Sequence, residues 1–279
     1  MDSLYKFKNF IFDLDGVLYL LDRPLTENIS FVNFLKEEGY NVVFLSNNTF
    51  LTREKYAEKL QKMGVNASPK EVFSSAFVTA KYLGQNFPQS RVYVIGEEGL
   101  REEIKRCNLR VVAGNARERV DFVVVGMDRK FSFSKMSSAL RFLTKGARLI
   151  GTNPDPTYPT DKGLLPGCGA MVAAIETCSG QKALIVGKPS PLIMDFVLSA
   201  TGFKKEETVL IGDRLDTDIV LGKRFGLFSV LVLTGVTTRE DLKSAECKPD
   251  LVVENLLEFK DLFLEGGALC RGSKFMTLP

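Results

Sequence analysis

The chain alternates short apolar runs with longer amphipathic stretches, the pattern of a parallel α/β sheet covered by helices. Phe10-Ile11-Phe12 reads as a buried strand. Asn28–Gly39 reads as a helix with Ile29, Val32, Phe34 and Leu35 on its apolar side and Gly39 as its stop. Val42–Leu45 is the next strand, and Thr52–Gly64 a helix capped by Thr52. From about residue 81 the pattern restarts, with strands at Val92–Ile95, Val111-Val112, Phe122–Val125 and Leu149-Ile150 and helices at Glu98–Cys107 and Ser134–Thr144. Residues 152–167, rich in Pro, Asp and Thr, read as a loop before a helix at Gly169–Cys178. A third block holds the strand Leu184–Val186, the helix Pro191–Thr201, the strand Val209–Ile211, the helix Asp216–Phe225 and the strands Val230–Leu233 and Leu251–Val253. Gly266–Pro279 has no period and reads as a loose tail.

Composition narrows the chemistry. Among 279 residues there is no histidine, which excludes Ser-His-Asp hydrolysis, Cys-His proteolysis, histidine-ligated zinc and phosphohistidine chemistry. Proton transfer falls to carboxylates, lysine, tyrosine, cysteine or water. The five cysteines form no C-x-x-C pair and none is followed six residues later by arginine, so neither a zinc ribbon nor a C-x5-R phosphatase loop is present. They read as buried, inert thiols of a reducing cytoplasm. A net charge of +3 without long single-sign runs gives no footing for nucleic acid or a membrane surface. The apolar stretch near Phe10 is cut short by Asp13, so no leader is expected, and no run is long enough to span a bilayer.

Polar residues gather where strands end. Asp13-Leu14-Asp15-Gly16 follows the first strand, Ser46-Asn47-Asn48 the second, Gly187-Lys188 the Leu184 strand and Gly212-Asp213 the Val209 strand. Open α/β sheets bind ligands outside the carboxyl ends of their strands. Convergence there would bring together several acids, a lysine and a serine. Taken singly, an aspartate after a strand is an ordinary turn or cap residue. Asp13-x-Asp15-Gly16 lacks the later ligands of an EF-hand, and Gly187-Lys188 lacks the hydroxyl of a P-loop. Clustered acids need a cation; hard oxygen ligands select Mg²⁺, and a nearby lysine suits a transferring phosphoryl group.

These residues resemble the haloacid dehalogenase-like phosphohydrolases. Asp13-Leu14-Asp15-Gly16-Val17-Leu18, Ser46, Lys188 within Gly187-Lys188-Pro189, and Gly212-Asp213-Arg214-Leu215-Asp216-Thr217-Asp218 match the four motifs of that superfamily in order. Ser46-Asn47-Asn48, Thr152-Asn153-Pro154-Asp155 and Leu165-Pro166-Gly167 are similar to its NagD-like p-nitrophenylphosphatase and phosphoglycolate phosphatase branch. The resemblance spans about residues 7–262. It implies a Rossmann-like, doubly wound parallel sheet formed by 1–80 and 183–264, with an α/β cap inserted at 81–182 and a tail at 265–279. The 142 residues between Ser46 and Lys188 leave room for such an insertion.

The implied reaction is hydrolysis of small phosphate monoesters in two steps. Asp13 is the nucleophile that forms an aspartyl phosphate, and Asp15 the acid and then the base. Ser46 and Lys188 bind the phosphoryl group. Mg²⁺ sits on Asp13, the Asp15 carbonyl and Asp213, with Asp218 behind them. Asn47, Asn48, Asn153, Asp155 and Tyr158 are the expected substrate contacts; an αL turn is the alternative for Asn48, and a rigid proline loop for Asp155 and Tyr158. The expected partner is a small phosphorylated metabolite: a phosphoglycolate, nucleotide, pyridoxal or sugar phosphate. No nucleic acid or membrane is expected, the location is cytoplasmic, and a homodimer through the cap stays open. A phosphotransferase, or a silent binding protein on the same fold, are the competing readings. The intact pair Asp13 and Asp15 argues against silence.

Overall fold

The computed structural model describes residues 4–115, 117–160 and 163–272. Two compact units emerge. The first gathers the chain up to Leu45, Leu60–Ala67 and the chain from Leu198 onward; the second gathers Ser46–Lys59 and Ser68–Val197. The second unit is thus broader than the insertion expected at 81–182.

The first unit is built on parallel strands in the order Leu251–Val253, Phe228–Val232, Thr208–Gly212, Asn9–Phe12, Asn41–Ser46. Asn9–Phe12 is buried throughout, as expected of a strand covered on both faces. The chain leaves it on one side toward Asn41–Ser46 and later returns on its other side at Thr208–Gly212. That reversal is the switch point at which a doubly wound sheet opens a crevice. The helix Thr26–Glu37 buries Asn28, Ile29, Phe31, Val32 and Leu35 and ends before Gly39, which adopts φ +82°. Phe34, expected on the apolar side, is only half-buried, and Phe31 takes the inner position. Phe31 meets Phe259 edge-on at 5.5 Å, and Phe10 meets Phe263 at 5.8 Å. These rings lock the first strand and first helix to the helix Leu256–Gly272. The chain expected to be a loose tail from Gly266 is therefore helical as far as Gly272; the rest of the tail lies outside the described residues.

The second unit has its own parallel sheet, ordered Leu184–Ile185, Arg148–Gly151, Phe122–Val125, Arg91–Ile95, Arg110–Val112. Side chains alternate across it, so Tyr93, Ile95, Val123 and Val125 share one buried cluster with Phe142 and Leu143 of helix Phe133–Leu143 and with Met171, Val172 and Ile175 of helix Cys168–Ser179. Three expectations are corrected. The strand Leu184–Ile185, assigned to the catalytic sheet, pairs with Arg148–Gly151. The helix Ser75–Asn86, capped by the Ser74 hydroxyl, runs through residue 81, the point at which the apolar pattern restarts. The loop at 152–167 contains an antiparallel hairpin, Thr157–Thr160 with Gly163–Pro166. A two-stranded ribbon is all edge, so Pro159 and Pro166 are tolerated in it. Among the described residues no helix is long and apolar enough to cross a membrane.

Candidate active site

Asp13 follows the strand Asn9–Phe12, and its backbone N–H donates to the Ile211 carbonyl of the neighbouring strand at 2.8 Å. Asp213 follows that neighbour, Thr208–Gly212. Asp218 lies in the π-helical turn Leu215–Ile219, which replaces the first turn of the helix expected at Asp216–Phe225; α-helix begins only at Val220. The turn brings the Asp218 carboxylate back to the Arg214 N–H at 3.3 Å. All three aspartates are buried, and one carboxylate oxygen from each lies within 4.8 Å of the others. At an effective dielectric constant near 20, two unit charges at 4.8 Å repel by roughly 3 kcal/mol. Three ionised carboxylates in that space call for a cation or a proton.

Three glycines clear the space for these acids. A Cβ on Gly16 or Gly235 would strike Asp213 Oδ2, and one on Gly212 would strike the Asp218 carboxylate. Gly16 also adopts φ +81°, which closes the turn Asp13–Tyr19. Asp213 Oδ2 accepts the Val236 N–H at 2.7 Å, and the Thr234 hydroxyl donates to the Gly16 carbonyl at 2.6 Å. Asn28, deep in the first helix, donates to the Val17 carbonyl and accepts the Leu256 N–H. Asp15 is half-buried, and the Tyr19 hydroxyl donates to its Oδ2 at 3.3 Å. Its carboxylate is not in the three-acid group, whereas that of Asp218, expected behind the metal, is. Arg214 forms a two-bond pair with Asp216.

Thr234, Gly235, Tyr19 and Asn28 were not singled out from sequence. Thr234 lies two residues past the strand Phe228–Val232, so the strand-end criterion applied once more would have found it.

Within the second unit a different cluster surrounds Lys188, whose side chain is only 2% exposed. Asn47 Oδ1 accepts the Lys188 N–H at 2.8 Å, while Asn47 Nδ2 donates to the Lys188 carbonyl at 3.0 Å and to the Asp155 carboxylate at 3.1 Å. An amide has two donor hydrogens and one acceptor oxygen, and Asn47 uses all three groups internally. Asn153 donates to the Asn47 carbonyl at 2.7 Å and accepts the Asp155 N–H at 3.2 Å. Asn48 Oδ1 accepts the Phe50 N–H, and the Ser46 hydroxyl accepts the Asn48 N–H. Asn48 is absent from the residues with positive φ, so the αL reading is corrected to a local side-chain turn. Asn47 and Asn153, expected to touch substrate, instead clasp the loops that carry Lys188 and Asp155. The glycines 167, 169 and 187 permit this packing, since a Cβ on any of them would meet backbone of residues 152–155.

Tyr158 differs. It projects from the hairpin, packs edge-on to Phe50 at 6.0 Å and lines a cavity of about 450 Å³. Asn47→Ala is therefore expected to destabilise the protein by about 2–3 kcal/mol, the sum of a few net hydrogen bonds. A denaturant titration measures this; a change below about 0.5 kcal/mol would show that the clasp contributes little.

The thiols depart from the expectation of uniform burial. Cys168 is buried, and loss of solvent pushes its thiol up to about 11, but Cys178 is exposed.

The description of haloacid dehalogenase-like hydrolases fits residues 10–110, and that of HAD-hydrolase-like proteins fits residues 185–259. The chain is 35% identical over 256 residues to an acid sugar phosphatase of Staphylococcus haemolyticus, covering 92% of this chain and 94% of the relative. It is 36% identical over 253 residues to the 5'-nucleotidase YutF of Bacillus subtilis, covering 91% and 97%. The crystal structure of a 4-nitrophenylphosphatase from Thermotoga maritima superposes with a TM-score of 0.88 at 38% identity, covering 94% of this chain and all of that one. By sequence and by fold, the chain belongs to the haloacid dehalogenase-like hydrolases and is a phosphatase of their NagD-like p-nitrophenylphosphatase branch.

Proposed function

We propose that the protein is a Mg²⁺-dependent phosphatase of small phosphate monoesters in the cytoplasm, working through a phosphorylated Asp13. The observation that carries this reading is the group of three buried carboxylates, Asp13, Asp213 and Asp218, within 4.8 Å. An all-oxygen, multiply anionic donor set suits a hard divalent cation, and the glycine-lined space around Asp213 and Asp218 keeps their oxygens uncrowded. Asp13 and Asp213 would hold the ion, with the Asp15 carbonyl, and Asp218 would stand beside them. When bound, Mg²⁺ supplies positive charge that offsets the carboxylates and the phosphate.

The remaining work belongs to side chains. A carboxylate oxygen of Asp13 attacks phosphorus as the bond to the leaving oxygen breaks, and the Asp15 carboxyl gives that oxygen a proton. Water then attacks the acyl phosphate while Asp15 takes its proton back, releasing phosphate and restoring Asp13. The Tyr19 hydroxyl, on Asp15 Oδ2, fixes the orientation of that acid. Ser46 and Lys188 bind phosphoryl oxygens by the motifs they occupy, with Lys188 held through its backbone by Asn47. The second unit acts as the cap that selects the leaving group, with Tyr158 as its contact.

The names of the relatives support sugar phosphates, 5'-nucleotides and aryl phosphates as candidates to test. The test is a panel of phosphate esters assayed with Mg²⁺ and again after exhaustive chelation. Hydrolysis that disappears on chelation and returns with Mg²⁺, but not with Ca²⁺, is the expected outcome, because the larger ion favours more ligands and bidentate carboxylates. Undiminished turnover without divalent cation would count against the reading.

A further inference from the structure

Two successive serines stand at the start of the helix Ser75–Asn86, and both are fully buried. A buried hydroxyl is costly unless it is hydrogen-bonded. The Ser74 hydroxyl caps the helix by accepting the Phe77 N–H at 3.2 Å. The Ser75 hydroxyl instead donates to the Asn47 carbonyl at 2.6 Å, 28 residues back along the chain. Asn153 Nδ2 donates to the same carbonyl at 2.7 Å, so both lone pairs of that oxygen are occupied. All of these residues belong to the second unit.

The carbonyl is one end of the trans peptide that joins Asn47 to Asn48. The other end, the Asn48 N–H, donates to the Ser46 hydroxyl oxygen at 3.1 Å. A planar trans peptide aims its C=O and N–H in opposite directions, so fixing one end fixes the other. The N–H occupies a lone pair of Ser46 Oγ and leaves the hydroxyl hydrogen to donate. Among the described residues no protein group accepts that hydrogen. Gly187 lets the lysine loop close on the same point: a Cβ there would lie 2.6 Å from Asn47 Oδ1 and 3.1 Å from Ser75 Cβ.

We propose that Ser75 is a positioning residue for the phosphatase reaction: its hydroxyl, acting through the Asn47–Asn48 peptide, aims the Ser46 hydroxyl at a phosphoryl oxygen. This rests on the phosphatase reading above and adds to it a residue outside the four motifs. The test is a double-mutant cycle on kcat/KM for p-nitrophenyl phosphate with Mg²⁺. Ser75→Ala should fold, because Asn153 still serves the Asn47 carbonyl. It is expected to lower kcat/KM about tenfold, the lower end of the usual scale for removing the support of a site group. In a Ser46→Ala background the same change should lower it by less than about twofold, since the group being aimed is gone. Ser75→Cys, similar in shape but a weaker donor, should act in the same direction and completes the cycle if Ser75→Ala fails to fold. Where Ser46→Ala turns over too slowly, the cycle is read as the dissociation constant of inorganic phosphate, by calorimetry with Mg²⁺. Equal losses in the two backgrounds would show a merely structural role and overturn the proposal, as would a Ser75→Ala enzyme as active as the parent. A parent that hydrolyses no phosphate ester overturns the phosphatase reading itself.

Discussion

Asp13→Asn is expected to lower turnover by a factor on the order of 10³–10⁶, the range for removing a group that acts as a unit with its neighbours in covalent catalysis. Asparagine has nearly the same shape but a carboxamide in place of the nucleophile. The substitution also takes one charge out of a buried group in which each pair repels by roughly 3 kcal/mol. Without divalent cation the variant should therefore melt no lower than the parent. Calorimetry and kcat on the same sample check both halves. A melting temperature well below the parent's would mean that the Asp13 carboxylate supports the fold through its own contacts, and residual turnover above a few per cent would exclude it as nucleophile.

Gly16→Ala should be the most damaging of the single-methyl changes near the site, and Gly39→Ala is its natural control. Both glycines adopt nearly the same left-handed conformation, φ +81° and +82°. Each alanine variant pays about 1–2 kcal/mol of backbone strain. Around Gly39 a Cβ meets nothing within 4 Å, whereas at Gly16 it collides with Asp213 Oδ2 and approaches Gly235. The Asp213 carboxylate must move, giving up its bond from the Val236 N–H and its place beside Asp13 and Asp218. Magnesium affinity, read as the concentration giving half-maximal activity, should weaken about 10–100-fold in Gly16→Ala, the usual scale for disturbing a metal ligand's support. It should stay unchanged in Gly39→Ala. Equal effects in the two variants would show that backbone strain, and not the crowding of Asp213, governs the loss.

Apolar runs locate strands almost to the residue, both the fully buried Phe122–Val125 and the half-buried edge strand Leu251–Val253. The helix Pro191–Thr201 is likewise placed, opened by its proline. Pairing was harder to read. Leu184–Ile185 has the composition of any short buried strand, and only the tertiary contact with Arg148–Gly151 decides which sheet it joins. Val72–Ser74 is three residues long, too short for alternation to register, and with it the helix capped by Ser74 escaped notice.

At the site, strand ends identify Asp13, Asp15 and Asp213 because one physical rule, ligands at carboxyl edges, covers them, whereas Asp218, in the turn Leu215–Ile219, is identified only through the resemblance of its motif. That rule does not distinguish an amide facing a ligand from one clasping backbone, so Asn47 and Asn153 are expected at the substrate although the Asn47 amide is spent on Lys188 and Asp155 and the Asn153 amide on the Asn47 carbonyl and the Asp155 N–H. Nor does it reveal Gly235, whose value lies in the side chain it lacks beside Asp213.

The most direct test of the account is a single-turnover experiment with a radiolabelled phosphate ester and Mg²⁺, quenched in acid within milliseconds and digested. The account predicts label that hydroxylamine removes, as from an acyl phosphate, on the peptide that contains Asp13. Hydrolysis proceeding with no trapped label, or label on a peptide without Asp13, would contradict it.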